Sequence, residues 1–199
     1  MRVLTYVLKA PGVDERVVAQ LNELVADLRT RTGLFLQYEG LEEAEDSLVY
    51  LWSSADTAGE AIRLVYDVRF DYLYLEVDFD ATRTDVESLD RAVRSRLKIA
   101  DAGDLLDQAK TDQNGRALIS AAVANRGAEN AEMIRLVEAG LDSRRPDVKE
   151  AAILSLTVLA WTSLLPVIKR AISRENEERA RAALEYMERV LSRAAAGSG

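Results

Sequence analysis

Two segments near the C-terminus of this 199-residue chain copy one another. MIRLVEAGLDSRRPDVKEAAILSL begins at Met133, and LLPVIKRAISRENEERARAALEYM begins at Leu164. An offset of about 31 residues, a period typical of stacked helical hairpins, sets like on like. Met133 meets Leu164, Ile134 meets Leu165, Val137 meets Ile168 and Leu141 meets Ile172. Beyond the turn, Ala151 and Ala152 meet Ala182 and Ala183, Leu156 meets Met187, and Leu159 meets Val190. Such a chain has to bury one stripe per helix against its neighbours. Repeated hairpins of this kind build surface and bring no chemistry of their own.

Six helices follow from the periodicity of this half: about 102–110, 115–125, 131–141, 147–161, 164–173 and 177–193. Paired, they form three hairpins. Pro146 and Pro166 sit at the starts of the fourth and fifth helices, where a missing N–H costs little. The tail AAAGSG is expected to fray, with 196–199 outside the folded part. PDVKEAAILSL followed by LLPVIKRAI resembles the junction of the HEAT-like repeat family, with a charged residue after the valine and small residues where helices cross. The likeness covers roughly the last 70 residues well. The first hairpin is a weaker copy: NGRALISAAVA keeps the small residues, but Lys110 stands where Leu141 and Ile172 stand. The resemblance implies a curved helical stack that binds other macromolecules, and it carries over no catalytic residue.

The N-terminal half reads differently. Arg2–Lys9 is β-rich, and Ala10–Pro11–Gly12 breaks it. Asp14 is placed to cap a helix whose stripe is Val17, Val18, Leu21, Leu24, Val25 and Leu28, and Gly33 stops it. Two strand-like runs, 34–39 and 47–53, flank an acidic loop, 40–46. Thr57 and Glu60 form a capping box for a second helix with Ala61, Ile62, Val65 and Val68 on one face. Tyr72–Asp80 then alternates cleanly. The expected succession is β-α-β-β-α-β, which resembles the split βαβ of the ferredoxin-like fold. Thr84 and Glu87 open a further helix to about Lys98. The expected organisation is an α+β ferredoxin-like domain at 1–81, a bridging helix at 82–100 and HEAT-like hairpins at 101–195.

Composition restricts the chemistry. The chain has no cysteine and no histidine, which removes thiolate metal sites, Cys nucleophiles and His-based dyads. A metal would have to be a hard, oxygen-ligated ion. No stretch has the roughly 18 uncharged apolar residues a membrane span needs, and the N-terminus lacks the form of a signal peptide, so a cytoplasmic protein is expected. The net charge of −8 is uneven: residues 1–98 carry 19 acidic and 12 basic side chains, the remainder 15 and 14. That acidic half would repel a phosphate backbone and attract a basic protein.

Three clusters are candidates for function. Alternation along the last strand sets Glu76, Asp78 and Asp80 on one face, and Asp78 with Asp80 is the one weak pair for magnesium. The first strand supplies no aspartate and no Gly-rich phosphate loop accompanies the pair, so the plain alternative is a solvated strand face. Tyr6, Tyr72 and Tyr74, with Tyr50 or Trp52, are candidates to share the sheet face free of helices. Interleaved acids argue against base stacking there. The tyrosines either pack under the helices that follow or form a protein-binding face. Glu39, Glu42, Glu43, Glu45 and Asp46 form the densest acidic run, a steering surface or simply solvated charge.

The expectation is therefore a non-catalytic protein-binding module without a cofactor, of bacterial type. It would be an inhibitor or immunity-type protein that sequesters a basic partner through Glu39, Glu42, Glu43, Glu45, Asp46, Tyr72, Tyr74, Glu76 and Asp78. An adaptor or scaffold subunit is the alternative, and a magnesium-dependent phosphoryl-transfer enzyme using Asp78 and Asp80 the second. Neither nucleic acid nor membrane is an expected partner, and oligomeric state is left open.

Overall fold

The computed structural model describes residues 1–10 and 12–197, so Pro11 of the expected break and residues 198–199 of the expected tail lie outside the described residues. The chain is α+β and divides into two compact units, Met1–Ala100 and Asp101–Gly199.

The first unit contains β1 (Arg2–Val7), α1 (Glu15–Thr32), β2 (Gln37–Ala44), β3 (Ser47–Ser53), β4 (Ala61–Asp67), β5 (Tyr72–Phe79) and α2 (Val86–Arg96). The five strands form one antiparallel sheet in the order β1-β5-β4-β3-β2. Strands β2 to β5 are a meander, and β1 joins beside β5. The outer edge of β1 is closed at one end, where Leu8 bridges Ile99, the Lys9 N–H donates to the Lys98 carbonyl and the Ala100 N–H to the Val7 carbonyl.

The capping of α1 is as expected: the Asp14 carboxylate accepts from the Val17 N–H at 2.8 Å, and Gly33 ends the helix. Leu21, Leu24 and Leu28 are fully buried, together with Leu89, Ala92 and Val93 of α2. They meet one face of the sheet, formed by Tyr6, Trp52, Ile62, Leu64, Leu73, Leu75, Val77 and Phe79. Both helices thus cover the same face. The helix over 85–98, expected to bridge into the repeats, belongs to this core. Its cap is Asp85, which accepts from the Glu87 and Ser88 N–H groups, one residue past the expected Thr84.

The expected β-α-β-β-α-β order is corrected to β-α-β-β-β-β-α. The stripe Ala61, Ile62, Val65 and Val68 lies on or just beyond a strand. Its residues also fit a period of two, with Ile62, Leu64 and Tyr66 on the helix-covered face and Ala61, Arg63 and Val65 opposite. β-branched side chains favour that reading, and pairing on both edges, to β3 and β5, outweighs local helix signals. The supposed capping box is a turn instead. The Thr57 N–H donates to Ser54 Oγ, and Gly59 takes a left-handed φ of 93° just ahead of β4.

The acidic loop is also corrected. Residues 37–44 form β2, closed onto β3 by the two residues Glu45 and Asp46 alone. The register slips between Tyr38 and Gly40, so Glu39 sits in a bulge.

The second unit is a stack of helices: α3 (Ala102–Ala109), α4 (Arg116–Ala124), α5 (Ala131–Leu141), α6 (Pro146–Leu159), α7 (Leu165–Arg174) and α8 (Glu178–Gly197). The α3/α4, α5/α6 and α7/α8 pairs pack as hairpins. Across hairpins α3 meets α5 and α5 meets α7, while α4 meets α6 and α6 meets α8. α6 stops at Leu159 because Ala160 turns left-handed at φ 50°, and Trp161, expected inside the helix, is buried beyond it. α8 continues through Ala194 to Gly197, where fraying was expected.

Close approach in this stack depends on missing side chains. A Cβ on Gly115 would lie 2.4 Å from the Ala151 Cβ, and one on Gly140 would lie 2.8 Å from that of Ala152. The 31-residue offset matches burial in the first helices of the hairpins: Met133 with Leu164, Val137 with Ile168. In the second helices it holds at Leu156 with Met187 but slips by one at the last turn. Val190, the sequence match of Leu159, is 39% exposed, while Leu191 is buried, as are Leu184 and Met187. The turn between α7 and α8 sets that phase, and no spacing rule within a helix encodes it.

Candidate protein-binding surface

Strand pairing decides which sequence-selected residues share a face. Tyr6 lies opposite Leu75, and Tyr50 opposite Leu64, so both point toward the helices. Trp52 does as well, donating from Nε1 to Asn22 Oδ1 of α1 at 3.3 Å. The Tyr6 hydroxyl donates to Asp90 of α2 at 3.1 Å. Burial, with the Asp90 charge and hydrogen bond, holds that phenol well above the ordinary tyrosine range. Only Tyr72 and Tyr74 of the expected aromatic group lie on the face away from the helices. They stack there with ring centroids 5.5 Å apart.

Tyr72 is itself buried, as are Val7, Ala61 and Val65 on the same face. Burial raises its pKa above the ordinary range, and Tyr74, Asp67 and Glu76 add to this. Glu76 and Asp78 project beside them toward Arg63 of β4. Arg63 Nη1 is ion-paired with Asp78 and lies 3.9 Å from Glu76. This face is therefore largely buried and apolar, and Arg63 at its centre offsets one of the two carboxylate charges beside it.

The expected magnesium pair is split between tasks. Asp78 is held by Arg63, whereas Asp80 lies past the end of β5 and accepts from the Thr82 N–H and hydroxyl at 2.9 and 2.8 Å. Those bonds depress the Asp80 carboxyl below its usual range. Among the described residues no three carboxylates converge as a metal site would require.

The acidic run has the opposite character. β2 is the outer strand, and Glu39, Glu42, Glu43 and Glu45 are all exposed on it or on its turn. Glu39 accepts from the Ser53 hydroxyl at 2.8 Å, and Asp46 lies 4.0 Å from Arg69. Tyr38, 53% exposed, leans on Trp52 with centroids 5.2 Å apart, and Leu41 is 41% exposed. Phe35, just before the strand, is exposed under the Arg29 guanidinium. Sequence reasoning selected the glutamates and missed Phe35, Tyr38 and Leu41. The missed signal was alternation: once 37–44 is a strand, Tyr38, Leu41 and Glu43 share one face, with the bulge at Glu39 absorbing the odd step.

In the second unit, Tyr186 and Val190 are exposed one turn apart on α8. Glu138–Arg170, Asp142–Arg174 and Lys110–Glu132 pairs at 2.7, 3.2 and 2.7 Å link successive hairpins. Among the described residues no helix is long and apolar enough to cross a membrane. No protein-family model, no curated protein and no solved structure matches this chain.

Proposed function

We propose that the chain is a non-catalytic protein-binding module that sequesters a basic partner protein, in the manner of an inhibitor or immunity-type protein. The observation that carries this reading is the acidic hairpin β2–β3, whose outer strand and turn set four exposed glutamates beside exposed Tyr38 and Leu41. Concentrated charge of one sign speeds encounter with the opposite sign, and the neighbouring apolar groups provide contact area after encounter. The stacked hairpins of the second unit support the same reading through their likeness to HEAT-like repeats, whose exposed helices serve as binding surface.

The test is capture on the immobilised full chain from a lysate at low and at high salt, followed by assay of each recovered protein with and without the chain. Recovery of basic proteins that elute with moderate salt and lose activity on binding is the expected result. Recovery of acidic proteins alone would end the reading.

A scaffold role is the second reading, favoured by Tyr186 and Val190 on α8. It calls for a partner that stays bound in high salt and keeps its activity.

A further inference from the structure

We infer that the free edge of β2 takes up an extended segment of the partner as a sixth strand, and that the segment alternates Lys or Arg with apolar residues. The inference rests on the basic-partner reading above and specifies how the partner is held.

The starting observation is hydrogen-bonding capacity. β2 pairs with β3 on one side only, and among the described residues no backbone group of 37–44 bonds beyond that pairing. Every second residue of an edge strand turns its N–H and C=O outward, which is a template for one more strand. The opposite edge of the sheet is partly closed by residues 98–100. The β2 edge has no such cover among the described residues, and its regular alternation runs from Gly40 to Ala44, past the bulge at Glu39.

Side chains then select the occupant. On the face shared with the helices, Tyr38 and Leu41 offer exposed apolar surface at the rim of the core, with Glu43 beyond them next to the turn. On the other, Glu42 is exposed, and exposed Glu39 of the bulge reaches Ser53 of that face. An added strand sets its side chains about 4.5–5.5 Å from those of β2. An alternating segment would thus lay basic groups along Glu39 and Glu42 and apolar ones along Tyr38 and Leu41. A second copy of this chain is disfavoured at the same edge. Two acidic β2 strands side by side would bring glutamates against glutamates, and like charges across a strand pair are destabilising. The charge that blocks self-association is the charge that admits a basic strand.

The probe is the peptide acetyl-Lys-Val-Lys-Val-Lys-Val-amide at millimolar concentration with the full chain, read by amide hydrogen exchange in NMR spectra. Slowing of about tenfold or more confined to amides within residues 37–44 is expected. The same peptide with its third and fourth residues both replaced by Pro should give none, because one of any two neighbours must donate to β2. Glu in place of Lys should also abolish the protection. Glu39→Lys/Glu42→Lys, at exposed positions and checked for folding by circular dichroism, should lose it. Absence of protection at 37–44, protection mainly elsewhere, or protection that survives the Pro peptide would overturn the inference. A basic partner captured in the salt experiment that binds this double variant undiminished would overturn it too, while leaving the basic-partner reading standing.

Discussion

Both units bury large side chains, but only the second brings helices together on glycine and alanine, and this predicts different ways of failing. Between sheet and helices the first unit packs Leu21, Leu24, Leu28, Trp52, Leu75 and Phe79, all nearly or fully buried. Helices resting on a sheet stand far enough off that long side chains from both layers must meet. The second unit instead brings α4, α5 and α6 together on Gly115, Gly140, Ala121, Ala122, Ala151 and Ala152. Helices that cross on small residues can approach closely. Removing atoms should therefore damage either core, but adding atoms at these glycines should damage the second unit in particular.

Leu75→Ala is the sharpest way to break the first half of that contrast. It removes a fully buried side chain at the centre of the sheet and should cost about 3–4 kcal/mol, read as a lowered urea midpoint in Trp52 fluorescence. Gly115→Ala tests the second half. The added Cβ meets Ala151 at 2.4 Å and forces alanine to a φ of 82°, for a cost of about 3 kcal/mol, followed at Trp161. A stabilising outcome there would refute the close-approach account.

A smaller effect, about 1–2 kcal/mol, is expected for Lys149→Ala. Lys149 Nζ lies 2.8 Å from Glu175, whose side chain is 8% exposed and also accepts from the Asn176 and Glu177 N–H groups. Those partners, Lys149 first, hold the Glu175 carboxyl below its usual range. The unfolded chain therefore binds the proton more readily. The stability this group supplies is complete above the ordinary glutamate range and is lost as pH falls through the depressed value. Lys149→Ala should accordingly flatten the acid limb of a stability–pH profile.

The smallest expected effect on folding is that of Glu39→Lys/Glu42→Lys, within about 0.5 kcal/mol by thermal denaturation because both side chains are exposed. If folding falls much further, these glutamates are structural, and the division between a packed core and a free acidic edge is wrong.

Legibility differed between the units for related reasons. The helices of the second unit are legible to within a few residues because a period of 3.6 repeats over two or more turns in each. Strand β4 is not, since seven residues containing Ala61, Ile62 and Val65 satisfy both a helical stripe and an alternation. β2 is legible only at its start, where the strand-like run 34–39 overlaps it; its acidic remainder, 40–44, looks like a loop until the pairing with β3 is known. Of the candidate surface, the glutamates were visible as charge. Their neighbours Tyr38 and Leu41 were not, because the bulge at Glu39 shifts the alternation between them. Tyr6, Tyr50 and Trp52 were assigned to the wrong face because the register of their strands is a property of the partner strands.

From local order alone follow the absence of histidine and cysteine chemistry, the concentration of acid in the first half, the caps at Asp14 and Gly33, and the repeated hairpin pattern. Each of these depends on residues a few positions apart or on composition, and needs no partner in space. The edge position of β2, the conversion of 61–67 to a strand, the union of Arg63 with Asp78, and the one-residue slip that exposes Val190 were decided by tertiary structure. Each turns on which distant segment lies alongside. That choice is made by the summed pairing and burial of the whole unit, which no short window of sequence contains.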